Sequence, residues 1–155
     1  MRRKDREVTQ VSEIKKILDK CKVFRIGMVD ESGVYILPLN FGYSFKEDKL
    51  ELYFHGAKVG KKVDLLTEDL KIGFEMDCEH QLIEDQDPCE YSFKFASIIG
   101  QGRVSSISED LEKIKALNFI MKQQTGREFK FSQKMLENVL VYKIVVEKYS
   151  AKRLV

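Results

Sequence analysis

The sequence predicts a mainly β protein with flanking helices, its strands curled into an antiparallel barrel. Three observations carry that reading. Stretches of period-two alternation dominate the chain, and most are joined by short turns. A single helical pattern interrupts them midway, where a doubly wound sheet would alternate helix and strand throughout.

Residues 9–20 come first, with Val11, Ile14, Ile17 and Leu18 at helical spacing and Ser12 as a candidate cap. Residues 23–29 read as a strand. Asp30-Glu31-Ser32-Gly33 has the composition of a hairpin turn, with Gly33 available for a positive φ. The next strand, 34–43, sets Tyr35, Leu37, Leu39, Phe41 and Tyr43 on a core face and Val34, Ile36, Pro38, Asn40 and Gly42 on the other. Pro38 has no N–H to offer, so it belongs at a sheet edge or where a ladder opens. Residues 50–55 alternate again and end at Gly56. Helical spacing takes over across 58–70, where Val59, Val63, Leu66 and Leu70 draw one apolar stripe.

Residues 71–77 return to period two, and the polar, acidic stretch 78–88 reads as a loop. A long β segment follows over 90–107, with a bulge or bend expected at Gly100-Gln101-Gly102. Its Tyr91, Phe93, Phe95, Ser97 and Ile99 share a register, which predicts barrel filling in preference to an aromatic nucleic-acid platform. Ser108 is expected to cap a helix whose stripe is Leu111, Ile114, Leu117 and Met121, and Gly126 to end it. A short helix from Ser132 and a strand over 139–148 complete the chain.

A length of 155 residues fits one domain, 1–155. With 27 basic against 25 acidic residues there is no global field to favour nucleic acid. The apolar runs are too short for a bilayer, and the basic start, Arg2 to Arg6, has no apolar stretch behind it. Cys21, Cys78 and Cys89 form no paired motif, which suits a reducing cytoplasm. His80 lies between Cys78 and Cys89 without zinc-type spacing, so no metal site is expected.

The informative stretch is 52–66. A strand delivers His55 and Gly56 to a helix start, where Lys61 and Lys62 follow. Free N–H groups and ammonium charges together suit an anion such as a phosphate monoester. On a wheel of about 100° per residue, Lys62 falls at the margin of the apolar stripe and Lys61 nearly opposite. The same residues also fit the ordinary solvated face of an amphipathic helix.

The runs Tyr35-Ile36-Leu37-Pro38-Leu39-Asn40-Phe41-Gly42-Tyr43 and Tyr53-Phe54-His55-Gly56-Ala57, with Gly60-Lys61-Lys62, resemble the pyridoxamine 5'-phosphate oxidase-like flavoproteins, in their nitroimidazole-resistance branch. The opening 1–7, the stretch 91–102 and residues 111–117 are similar too. The resemblance implies a split β-barrel homodimer with FMN at each of two symmetric sites between subunits, FAD being the alternative flavin. It implies that the backbone of Leu37, Pro38, Leu39 and Asn40 runs along the isoalloxazine ring. Lys62, with Lys61, would hold the phosphate, His55 and Gly56 would lie near the ribityl chain or ring, and Ser97 would approach from the barrel wall. The basic start would pack near the partner's flavin. It further implies an oxidoreductase acting on a nitroaromatic or another small acceptor, a pyridoxine phosphate oxidase, or a flavin- or haem-binding carrier or sensor. His55 is the one candidate for moving a proton.

Overall fold

The computed structural model describes residues 3–155, so the Arg2 of the basic start lies outside the described residues. In chain order the elements are β1 (Glu7–Val8), α1 (Val11–Lys20), β2 (Val23–Asp30), β3 (Gly33–Asn40), β4 (Gly42–Lys46) and β5 (Lys49–Gly56). After these come α2 (Lys61–Leu65), β6 (Leu70–Ile83), β7 (Ser92–Ile107), α3 (Asp110–Thr125), α4 (Gln133–Glu137) and β8 (Leu140–Leu154). Every pairing is antiparallel, in the order β3-β2-β6-β7-β8-β5-β4, with β1 added to β8.

Strands β3 and β4 stand at opposite ends of that path, yet only Phe41 separates them in sequence. One residue therefore ties the two ends of the sheet together, and the sheet must curl on itself. Among the described residues the outer edge of β3 pairs with no strand, which leaves a seam in the barrel. Pro38 sits on this edge strand, where its missing N–H costs no ladder bond. The expected single strand over 34–43 is thus two strands, and at the corner Gln124 Nε2 donates to the Phe41 carbonyl at 3.1 Å.

The core lies inside the curl. Phe24, Phe41 and Phe54 are fully buried there, with Phe24 tilted against Phe41 at 5.2 Å and against Phe54 at 5.8 Å. Helix α1 adds Ile14, Ile17 and Leu18. A second cluster of Tyr53, Ala116, Leu117, Ile120, Leu136 and Val141 joins α3 to the outside of β5 and β8. Gly42 allows this approach, because a Cβ there would strike the Phe119 backbone.

Several sequence expectations change. The helix over 58–70 shrinks to the five residues Lys61–Leu65, opened by Gly60 at φ 125° and closed at Leu66, and Asp69 at φ 62° then turns the chain into β6. Val59 is 81% exposed and Leu70 opens β6, so the stripe is broken at both ends. The loop over 78–88 is largely strand. β6 runs on past an irregularity between Cys78 and Gln81 to Ile83, pairing with β7 as an arm with no core on either face to impose alternation. On β7 the inward set is Ala96, Ile98 and Val104, while Phe93 and Ile99, and Tyr91 just before the strand, are exposed: the predicted filling register points outward. The expected bulge is present between Gln101 and Gly102.

Helix α3 is capped by Glu109, which accepts from the N–H of Leu111 and Glu112, and not by Ser108. Its buried face is Ala116, Leu117, Ile120 and Gln123, with Leu111 in solvent. Gly126 ends it in the left-handed region at φ 75°, as its position predicts. Ser132 caps α4, and β8 extends six residues beyond 148, to Leu154.

Candidate functional site at the open sheet edge

Strand β5 pairs with β8 up to its last two residues, His55 opposite Val141 and Gly56 opposite Leu140. Gly60, in a backbone conformation that favours glycine, then turns the chain into α2. Five residues are too few to support the helix-terminus part of the anion argument, so that argument falls to the side chains.

Lys62 folds back over the end of β5. A Cβ added at Gly56 would collide with its Nζ and stand 2.5 Å from its Cε, so the glycine leaves the room the ammonium takes. Every salt bridge among the described residues bypasses Lys62. The neighbouring His55 is accessible, but desolvation by the surrounding protein, together with the Lys62 charge, pushes its pKa below the ordinary imidazole value.

Lys61 is placed differently. Its Nζ lies 2.8 Å from Asp30 Oδ2 and 4.7 Å from the centre of the Tyr35 ring. The other Asp30 oxygen accepts from Ser32 N at 2.7 Å and from Ser32 Oγ at 2.5 Å. Lys61 and these Ser32 donors hold the Asp30 carboxyl down to about 2.

The structure therefore brings His55, Gly56, Lys61 and Lys62 together at the β5–α2 junction, and Lys61 ties them to the β2–β3 hairpin. Leu37 and Leu39 pack inward against the core, while Pro38 and Asn40 face out. The Asn40 amide donates to the Lys22 carbonyl at 3.1 Å and to Gln124 Oε1 at 3.3 Å, so its side chain is already committed. Gly42 leaves space for α3 and not for a ligand. Ser97 pairs with Asp77 and Lys152, three strands from β3, and does not join the cluster within one chain. His80 lies on β6 beside Asp77, at 2.8 Å.

Sequence reasoning missed Asp30 and Tyr35, which it read as turn and core residues. Three strands, β3 to β5, lie between Asp30 and Lys61 in sequence, and no local pattern announces the contact. It also missed a hollow of about 560 Å³ on the outer face of the sheet, where Gly27 and Gly73 form a trough beside Ile36, Ile99 and Tyr149. Register aligns Ile36, Gly27, Gly73 and Gln101 straight across four strands.

A curled antiparallel sheet, open along β3 and flanked by helices, defines a split β-barrel. The chain belongs to the pyridoxamine 5'-phosphate oxidase family, whose model matches residues 10–153. Among solved structures it is similar to a Bacteroides thetaiotaomicron protein provisionally assigned to 5-nitroimidazole antibiotic resistance. That match has 27% identity and a TM-score of 0.79 over 95% of this chain and 86% of the other. It is also similar to a FAD- and haem-binding protein from Mycobacterium smegmatis, with 18% identity and a TM-score of 0.80 over 96% and 73%. A flavocytochrome from Azotobacter vinelandii gives 19% identity and a TM-score of 0.79 over 100% and 72%. The last two, at such identities, speak for the fold alone. No curated protein sequence matches the chain.

Proposed function

We propose that the chain is a flavoprotein that holds FMN along the open edge of β3, in sites shared between two copies of itself, and reduces a small nitroaromatic acceptor. The observation that carries this reading is the Lys62 ammonium, seated on Gly56 at the β5–α2 junction and paired with no carboxylate among the described residues. A phosphate monoester supplies the charge it lacks, and such a charge-assisted contact is worth roughly 1.5–3 kcal/mol. Along the outer edge of β3 from Leu37 to Asn40, alternate residues turn their backbone groups away from β2 and offer them to the rim of a flat ring system.

The flavin, when bound, supplies the electron-transfer chemistry. The chain's own part is to hold the phosphate at Lys62, to present the β3 edge, and to place His55 where a neutral imidazole takes up or returns a proton. Ser97, three strands away, would contribute from the second copy. The free thiols Cys21, Cys78 and Cys89 support a reducing, cytoplasmic setting. The neighbour from Bacteroides thetaiotaomicron supports the nitroaromatic acceptor. His55 is the one side chain at the site placed to move a proton, and a second reading is a flavin- or haem-binding carrier or sensor without turnover.

Reconstitution with FMN and FAD, followed by anaerobic reduction with a nicotinamide donor and addition of a nitroimidazole, tests both readings. A flavin absorption band that bleaches and returns on adding the acceptor supports the enzyme. A bound flavin that no acceptor but oxygen reoxidises supports the carrier, and failure to take up any flavin refutes both flavin readings.

A further inference from the structure

We infer that Lys61 is a positioning residue and not a second phosphate ligand: with Asp30 and Tyr35 it latches α2 to the β2–β3 hairpin. This sets the separation between Lys62 and the open edge of β3. The inference rests on the flavin reading for its consequence, though not for its geometry.

Four contacts converge on the latch. Asp30 accepts from Lys61 at 2.8 Å through one oxygen. Through the other oxygen it accepts twice from Ser32, which fixes the hairpin turn. The Lys61 ammonium also lies over the Tyr35 ring, a cation–π arrangement within the useful range of about 6 Å. The Asp30 side chain is only 17% exposed and that of Lys61 50%, so the carboxylate end of the pair is sheltered from solvent.

Neither element is held firmly by its own hydrogen bonds. Helix α2 has five residues, and among the described residues β3 pairs with β2 alone. Swinging Lys61 toward a phosphate would leave a sheltered Asp30 carboxylate without its cation and would free the hairpin at the same time. Lys62 carries no such commitment. The two adjacent lysines thus have different work: one is available to an anion, and the other holds the wall that faces it.

Binding of FMN and of riboflavin, which lacks the phosphate, separates these roles. Lys62→Met is expected to abolish the preference for FMN over riboflavin. Lys61→Met keeps the aliphatic stem, and is expected to weaken both flavins by the same factor, roughly twofold to fivefold. Asp30→Asn should match it, the double variant should add nothing further, and Lys61→Arg should restore binding. A Lys61→Met loss confined to FMN, or an Asp30→Asn variant that binds FMN more tightly, would overturn the latch. Amide exchange on the flavin-free protein gives a second readout, with residues 31–35 exchanging faster in both Lys61→Met and Asp30→Asn. Unchanged exchange there also overturns it. Uptake of neither flavin by the unmodified chain sinks the flavin reading, whereas the exchange measurement still decides the latch.

Discussion

A side chain at position 56 would take the volume that the Lys62 ammonium occupies, so Gly56→Ala tests the phosphate site without removing a charge. The far end of a lysine is flexible, and the expected outcome is a folded protein of near-normal melting temperature with FMN affinity lowered at least tenfold, measured by fluorescence quenching. His55 reports on the same charge. Desolvation and Lys62 depress its folded pKa, so the unfolded chain binds the proton more readily. The ring therefore contributes stability above the unfolded pKa of about 6.5 and loses it as pH falls through the lower folded value. An NMR titration should place its midpoint below that of free imidazole, and Lys62→Met or bound phosphate should move it upward. At this scale the helical wheel set Lys62 inward of Lys61, and the structure leaves Lys62 half-buried and Lys61 exposed, although the apolar stripe on which that wheel was drawn is broken at both ends. The partners were not legible: nothing local in the sequence links Asp30 to a lysine 31 positions on.

The helix α3 shows how an element far from the site supports it. Gln123, nearly buried, donates to the carbonyls of Leu18 at 2.6 Å and Cys21 at 2.7 Å, covering the end of α1 where helix carbonyls lack partners. Gln124 braces the Phe41 corner and the Lys22 carbonyl, to which Asn40 also donates. The helix thereby secures the junction from which the open strand β3 departs. Gln123→Leu should cost about 1–3 kcal/mol, since it leaves two buried carbonyls unpaired. Gly42→Ala should cost about 3 kcal/mol, because the obstacle is the Phe119 backbone and not a movable side chain. Calorimetry should record the latter as a fall of roughly 6–12 °C in Tm.

Elements with one apolar face and one wet face, such as β2 and α1, were legible from periodicity. Those whose neighbours override the pattern were not. The buried face of α3 is set partly by a glutamine that no apolar stripe reveals, and the β6–β7 arm beyond Cys78 has no core beneath it.

Across the whole molecule, the outer sheet face is the feature that one chain does not explain. Val34, Ile36 and Ile99, which border the trough over Gly27 and Gly73, are 71%, 62% and 55% exposed, and Val29, paired with Val34, is 77% exposed. Neither glycine is required by the chain's own packing. An added Cβ meets nothing closer than 3.9 Å at Gly27 and 4.0 Å at Gly73. Glycine inside a strand costs roughly 0.5–1 kcal/mol relative to alanine, so two aligned across neighbouring strands forgo stability that another surface must repay by coming close. The proposed second copy is such a surface, and it would bring a Ser97 toward each seam. Gly73→Val should therefore separate folding from assembly. The β-branched side chain suits a strand, so Tm at high dilution should hold or rise, while the filled trough should drive the dimer toward monomer in sedimentation equilibrium. FMN affinity should fall together with the dimer fraction. A Gly73→Val protein that stays dimeric, or that loses its dimer and keeps its flavin, would show that the trough serves some other purpose than a shared site.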